Sequence, residues 1–101
     1  MIVIKGGITA AKGFLANGVK AGIKKSGRKD LALLYSEAPA VAAGAFTTNR
    51  FQASPIKVSK LHLKNKTHRA IIINSGNANC AAGRSGDRNA VLMTEYAAKA
   101  L

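Results

Sequence analysis

The chain has 101 residues and a formal net charge of +12, from 16 basic and 4 acidic residues. That length allows one domain or a fragment of one, residues 1–101. Leu, Ile, Val and Phe number 24, which excludes a disordered chain, and Trp is absent, so the core must be aliphatic.

Ile2–Ile4 predicts a short strand, broken by Gly6 and Gly7. Phe14–Ile23 reads as a strand holding Gly18 and Gly22, hence bulged or edge-like. Lys24–Asp30 is a polar connection to a second, buried strand, Leu31–Tyr35, which pairs antiparallel with the first. Pro39 interrupts, and Ala40–Thr47 resumes as a strand in which Gly44 marks the close approach of another backbone. Pro55-Ile56-Lys57-Val58 alternates like a short strand, and Ser59 caps a short helix over Lys60–Asn65. Arg69–Asn74 reads as the central strand, because Ile71-Ile72-Ile73 implies burial on both faces. Ser85 or Asp87 then caps a longer helix to Leu101. Its stripe is Ala90, Met93, Ala97 and Leu101, widened by Leu92 and Tyr96. Asp87 reads as structural, suited to the positive end of the helix dipole. The predicted class is α+β: a mixed, largely antiparallel sheet with helices on one face.

The strand Ile71–Ile73 empties into Asn74-Ser75-Gly76-Asn77-Ala78-Asn79. A rigid strand ending in small polar residues is a common way to present hydrogen-bonding groups at a site. Asn74, Ser75, Gly76, Asn77 and Asn79 are therefore the substrate-proximal candidates, bonding a carboxylate or bracing the loops that do. The plainer reading is that these amides satisfy local backbone. Thr47, Thr48 and Asn49 are weaker candidates, since Thr at a strand end often reflects β propensity alone.

Cys80 is the only cysteine, so an internal disulfide and a paired-cysteine metal site are both excluded. It reads as small, buried and inert, in a reducing cytoplasmic setting. His62 and His68 have no acidic or thiol cluster to make a metal site. No segment has the length of a membrane span. The charge invites a nucleic-acid reading, with Lys20, Lys24, Lys25, Arg28 and Lys29 in one stretch. Yet there is no aromatic stacking strand, helix-turn-helix pattern or zinc spacing. A solvated basic surface, or one facing an acidic partner, is the simpler account.

Four segments together resemble one family. They are Gly6-Gly7-Ile8-Thr9-Ala10-Ala11-Lys12-Gly13-Phe14, the run from Gly22 to Leu33, Ala43-Gly44-Ala45-Phe46-Thr47-Thr48-Asn49-Arg50, and Asn74–Asn79. In this order they are similar to the opening of the bifunctional ornithine acetyltransferase/N-acetylglutamate synthase family of arginine biosynthesis. The resemblance implies a four-layer α-β-β-α sandwich and transfer of acetyl from N-acetylornithine to glutamate. It also implies an acetyl-threonine intermediate on a threonine freed by self-cleavage. It implies no resident cofactor and leaves open whether acetyl-CoA is a further acetyl donor for the intact enzyme.

Family members continue beyond the matched part, into the segments with the oxyanion-hole Thr-Gly pair, the substrate lysine and the self-cleavage threonine. Thr47, Thr48, Thr67 and Thr94 lack that self-cleavage context. No catalytic residue is therefore expected on this chain. Its expected partners are the remaining alpha-chain polypeptide and the beta chain, in a hetero-oligomer without membrane or nucleic acid. A basic nucleic-acid-binding module and a non-catalytic structural subunit are the alternatives.

Overall fold

A computed structural model describes residues 1–101. A single 3-10 turn, Ile8–Ala10, precedes β1 (Phe14–Val19), β2 (Leu31–Ala40), α1 (Ser54–His62), β3 (His68–Asn74) and α2 (Gly83–Ala100). The three strands form one antiparallel sheet in the order β1-β2-β3. The α+β class and the β1–β2 hairpin are as the sequence predicts.

Several local expectations are corrected. Ile2–Ile4 forms no strand and is exposed, because nothing pairs with it. β1 stops at Val19 and its register with β2 is unbroken from Phe14↔Ser36 to Val19↔Leu31. Gly18 therefore marks no bulge, while β1 is an edge strand as expected; a Cβ at Gly18 would meet the Lys29 stem only at ordinary contact distance, 3.6 Å. β2 runs through Pro39 to Ala40, and residues 41–50 form no strand. Pro39 is tolerated because the β2–β3 register shifts between Tyr35 and Ala40, where no ladder N–H is required of it. The Arg69 guanidinium closes that irregularity. It donates to the Ser36 carbonyl at 2.9 Å, to the Glu37 carbonyl at 3.0 Å and to the Tyr35 hydroxyl.

Residues 55–58 are helical, not extended. Pro55 lies in the first turn of α1, where its missing N–H is no loss, and Ser59 falls inside the helix rather than capping it. Gly44 is closely approached, but by side chains: a Cβ would lie 2.8 Å from Leu63 Cδ1 and 3.1 Å from Phe46 Cζ. α2 begins at Gly83, so neither Ser85 nor Asp87 is its N-cap. Ser85 Oγ instead donates to the Ala82 carbonyl at 2.9 Å. Asp87 is structural by another route: it meets Lys57 Nζ of α1 at 3.1 Å and ties the two helices together. The Ser54 hydroxyl, and after it Lys57, hold its carboxyl below the usual carboxylate value.

β3 is an edge strand and β2 is the central one. Alternation along β3 turns Ile72 and Asn74 toward the helices and Ile71 and Ile73 to the opposite face. That opposite face is bare: Ile71 is 56% exposed and Ile73 52%. Burial on both faces is thus overturned for the chain by itself, since its helices lie on one side only. Only Asp30, Ser36, Ser54 and Val58 are buried, and just one of these is apolar. The stripe residues Ala90, Met93 and Ala97 are half-buried, while Tyr96 and Leu101 remain exposed. No helix is long and apolar enough to cross a membrane.

Candidate functional site

The loop after β3 is held from two sides. Below it, Asp30 occupies the end of the β1–β2 connection and is 4% exposed. Its Oδ1 accepts the Ala21 N–H at 2.6 Å, and its Oδ2 accepts those of Ile23 and Lys24 at 2.7 and 2.8 Å. Its own N–H donates to the Val19 carbonyl, and its carbonyl accepts the Ser75 N–H at 2.8 Å. One acid thus folds the basic connection and fastens the start of the Asn74–Asn79 loop. The N–H groups of Lys24, Ala21 and Ile23 favour the anion and outweigh burial, so the carboxyl lies below its usual value. The fold of the connection also presses the Lys24 stem against Gly76.

Gly76 has φ +89, the left-handed region that favours glycine. A Cβ there would collide with Lys24 Cγ. Gly76→Ala is therefore expected to destabilise by about 1–2 kcal/mol from backbone strain alone. A melting or denaturant series on the variant checks this; an unchanged midpoint would show that the loop relaxes freely.

Above the loop lies a cavity of about 220 Å³ between β3, α1 and α2. Asn74, Asn77 and Asn79 all line it. Asn74 and Asn79 are spent on each other: each Nδ2 donates to the other's Oδ1, at 3.3 and 3.1 Å. Asn77 makes no side-chain hydrogen bond and is exposed at the cavity wall. Ser75 and Gly76 lie outside it, as backbone supports. Ser54 and Asn89, not foreseen from the sequence, add a hydroxyl and a fourth amide. They come from two helices, so no local pattern links them to the loop. Gly86 of α2 lets Ser54 close in, its Oγ 3.2 Å from where a Cβ would stand.

The other candidates are not brought here. Thr47 Oγ1 accepts the Asn49 N–H at 3.1 Å and Asn49 Oδ1 accepts that of Phe51 at 2.9 Å, so these side chains shape their own turn. Cys80 is exposed, not buried, because the turn into α2 carries it outward. No group of three or more His, Cys, Asp or Glu comes together. Of the aromatic rings, Phe46, Tyr35 and Tyr96 already lie beneath Lys60, Arg69 and Lys99 respectively, which leaves little surface for stacking bases.

The cavity lining includes Asn, Ser and Thr but no acid, base or thiol. Such a wall offers hydrogen-bond donors and acceptors to a polar ligand. Thr94 reaches the wall, but its hydroxyl donates to the Val91 carbonyl at 2.7 Å.

A family profile described as the ArgJ family matches residues 15–101. The "Arginine biosynthesis bifunctional protein ArgJ" of Gloeobacter violaceus is 50% identical over 99 residues, covering 97% of this chain and 24% of that protein. The protein of the same name from Dehalococcoides mccartyi is 45% identical over 102 residues, covering 99% and 25%. The chain thus spans about a quarter of the length of these curated relatives. The crystal structure of the Bacillus halodurans bifunctional protein ArgJ superposes with a TM-score of 0.88 at 39% identity, over 93% of this chain and 49% of that one. The Mycobacterium tuberculosis ornithine acetyltransferase complexed with ornithine gives 0.79 at 39% identity, over 89% and 51%.

Proposed function

The chain belongs to the ArgJ family, and on that premise we propose that it forms one wall of the acyl-transfer site of an arginine-biosynthesis acetyltransferase. The reaction is transfer of acetyl from N-acetylornithine to glutamate through an acetyl-threonine. The nucleophilic threonine and its oxyanion hole lie on further polypeptide, in the alpha and beta chains. The observation that carries this is the cavity wall: four Asn side chains converge on it with no titratable group among them. A hydroxyl nucleophile needs a base to take its proton, and the one carboxylate beside this wall, Asp87, is a weakened base, held below its usual value by the Ser54 hydroxyl and Lys57. What it offers is positioning, with Asn77 directed at a substrate carboxylate and Asn74–Asn79 as the brace. No resident cofactor is assigned, acetyl-CoA being at most a second acetyl donor. The setting is the cytoplasm.

Completion by further polypeptide also accounts for the bare Ile71 and Ile73, since an aliphatic sheet face in water is an interaction surface. The test is complementation. The 101-residue chain is assayed for acetyl transfer, alone and after co-expression with the part of the Gloeobacter violaceus relative outside the matched quarter. Activity is expected only from the pair. Turnover by the 101 residues alone would overturn the proposal, as would a stable pair that never turns over.

A further inference from the structure

Of the basic residues in the β1–β2 connection, Lys20, Lys25, Arg28 and Lys29 are exposed, but Lys24 is half-buried. It is held at both ends. Its N–H donates to Asp30 Oδ2 at 2.8 Å, and its Nζ donates to the Lys29 carbonyl at 3.5 Å. Between these ends the stem lies along Gly76. The three atoms nearest to where a Gly76 Cβ would stand all belong to Lys24: Cε at 3.3 Å, Cδ at 3.4 Å and Cγ closer still. A lysine stem placed this way acts as an apolar strut, with the charge kept at its tip.

The loop beyond β3 has few other supports. Ser75 is fastened by its N–H to the Asp30 carbonyl at 2.8 Å. After it, no backbone hydrogen bond holds Gly76, Asn77, Ala78 or Asn79. The Asn74–Asn79 amide pair closes the far end. Gly76 and Asn77 thus lie between two fixed points, with the Lys24 stem against the turn that joins them. We propose that Lys24 is a positioning residue for the amide wall: its stem, not its ammonium, fixes where Gly76 turns and so where Asn77 presents its amide. This rests on the reading of that wall as substrate-binding and deepens it, by tracing the placement of Asn77 to a residue of the first hairpin.

The test uses the complex restored by complementation, with the 101-residue chain isotopically labelled. Lys24→Ala removes the stem but keeps the N–H that Asp30 accepts. Lys24→Met keeps an unbranched stem as far as Cε and removes the charge. In Lys24→Ala the Asn77 side-chain amide resonances should shift and KM for glutamate should rise about tenfold, with kcat changed less. Lys24→Met should bring both most of the way back to their native values. The double variant Lys24→Ala/Asn77→Ala should have the KM of Asn77→Ala alone, because Lys24 acts through Asn77. A methionine variant no better than alanine assigns the effect to the charge and overturns the proposal, as does an additive rise in the double variant. Asn77 resonances that stay in place in Lys24→Ala also overturn it and leave the proposed function standing. Resonances that move while KM stays unchanged uphold the strut and overturn the substrate-binding reading of the wall.

Discussion

Asp30→Ala should release the whole Lys20–Lys29 connection from the sheet. The carboxylate is the sole side-chain acceptor for the Ala21, Ile23 and Lys24 N–H groups, and alanine leaves all three without it. These amides should exchange roughly 10- to 100-fold faster in the variant. The Ser75 amide should follow, because its acceptor is the carbonyl of the same residue. Asp30→Asn is the more telling variant. An amide keeps the shape but presents an N–H to at least one of the three donors, so part of the loss should persist.

The charge dependence has a definite sign. The folded-state carboxyl lies below its ordinary value of 3.8, so its contribution is complete above that pH. The contribution is lost as pH falls through the folded value. The Ala21, Ile23 and Lys24 amide resonances should therefore titrate together with a midpoint below 3.8. The difference between the native chain and Asp30→Asn should shrink over the same range. A midpoint at or above 3.8 would mean that the N–H groups do not hold the anion.

In the complex restored by complementation, Asn74→Ala and Asn77→Ala should separate brace from contact. Asn74→Ala breaks both bonds of the amide pair and frees the loop. Misplacing a site by about 1 Å lowers turnover on the order of 100-fold, and kcat should fall by that order. Asn77 has no side-chain partner to lose, so its removal should leave the loop intact. A lost charge-assisted hydrogen bond to a substrate carboxylate raises KM about tenfold or more, with kcat little changed. Unchanged kcat and KM in Asn77→Ala would remove it from substrate contact. Side-chain amide exchange gives a readout independent of turnover: Asn74 and Asn79 should be protected and Asn77 not.

Elements whose signal is local were readable from the residues. The hairpin of β1 and β2 followed from two apolar runs around a polar connection, and α2 followed from its 3.6-residue stripe. The Asn74–Asn79 loop stood out because three amides follow a β-branched strand. Local signal misleads where a short pattern has two meanings. Pro55–Val58 alternates over only four residues, and a proline opening a helix fits it equally well. Pro39 reads as a strand breaker, yet the shift in β2–β3 register between Tyr35 and Ala40 removes the demand for its N–H.

The amino-acid order alone set the α+β class, the sheet pairing near the N-terminus and the amide-rich loop. Each depends on residues within a few positions of one another, where periodicity and turn chemistry act. Tertiary structure decided the rest. Asp30 became the anchor because three N–H groups from a folded-back segment converge on it. Ser54 and Asn89 joined the cavity because two helices far apart in sequence close over β3. Tertiary structure also left Ile71 and Ile73 in the open. A β-branched run announces that both faces want burial, but only the arrangement of neighbouring elements determines which face is covered.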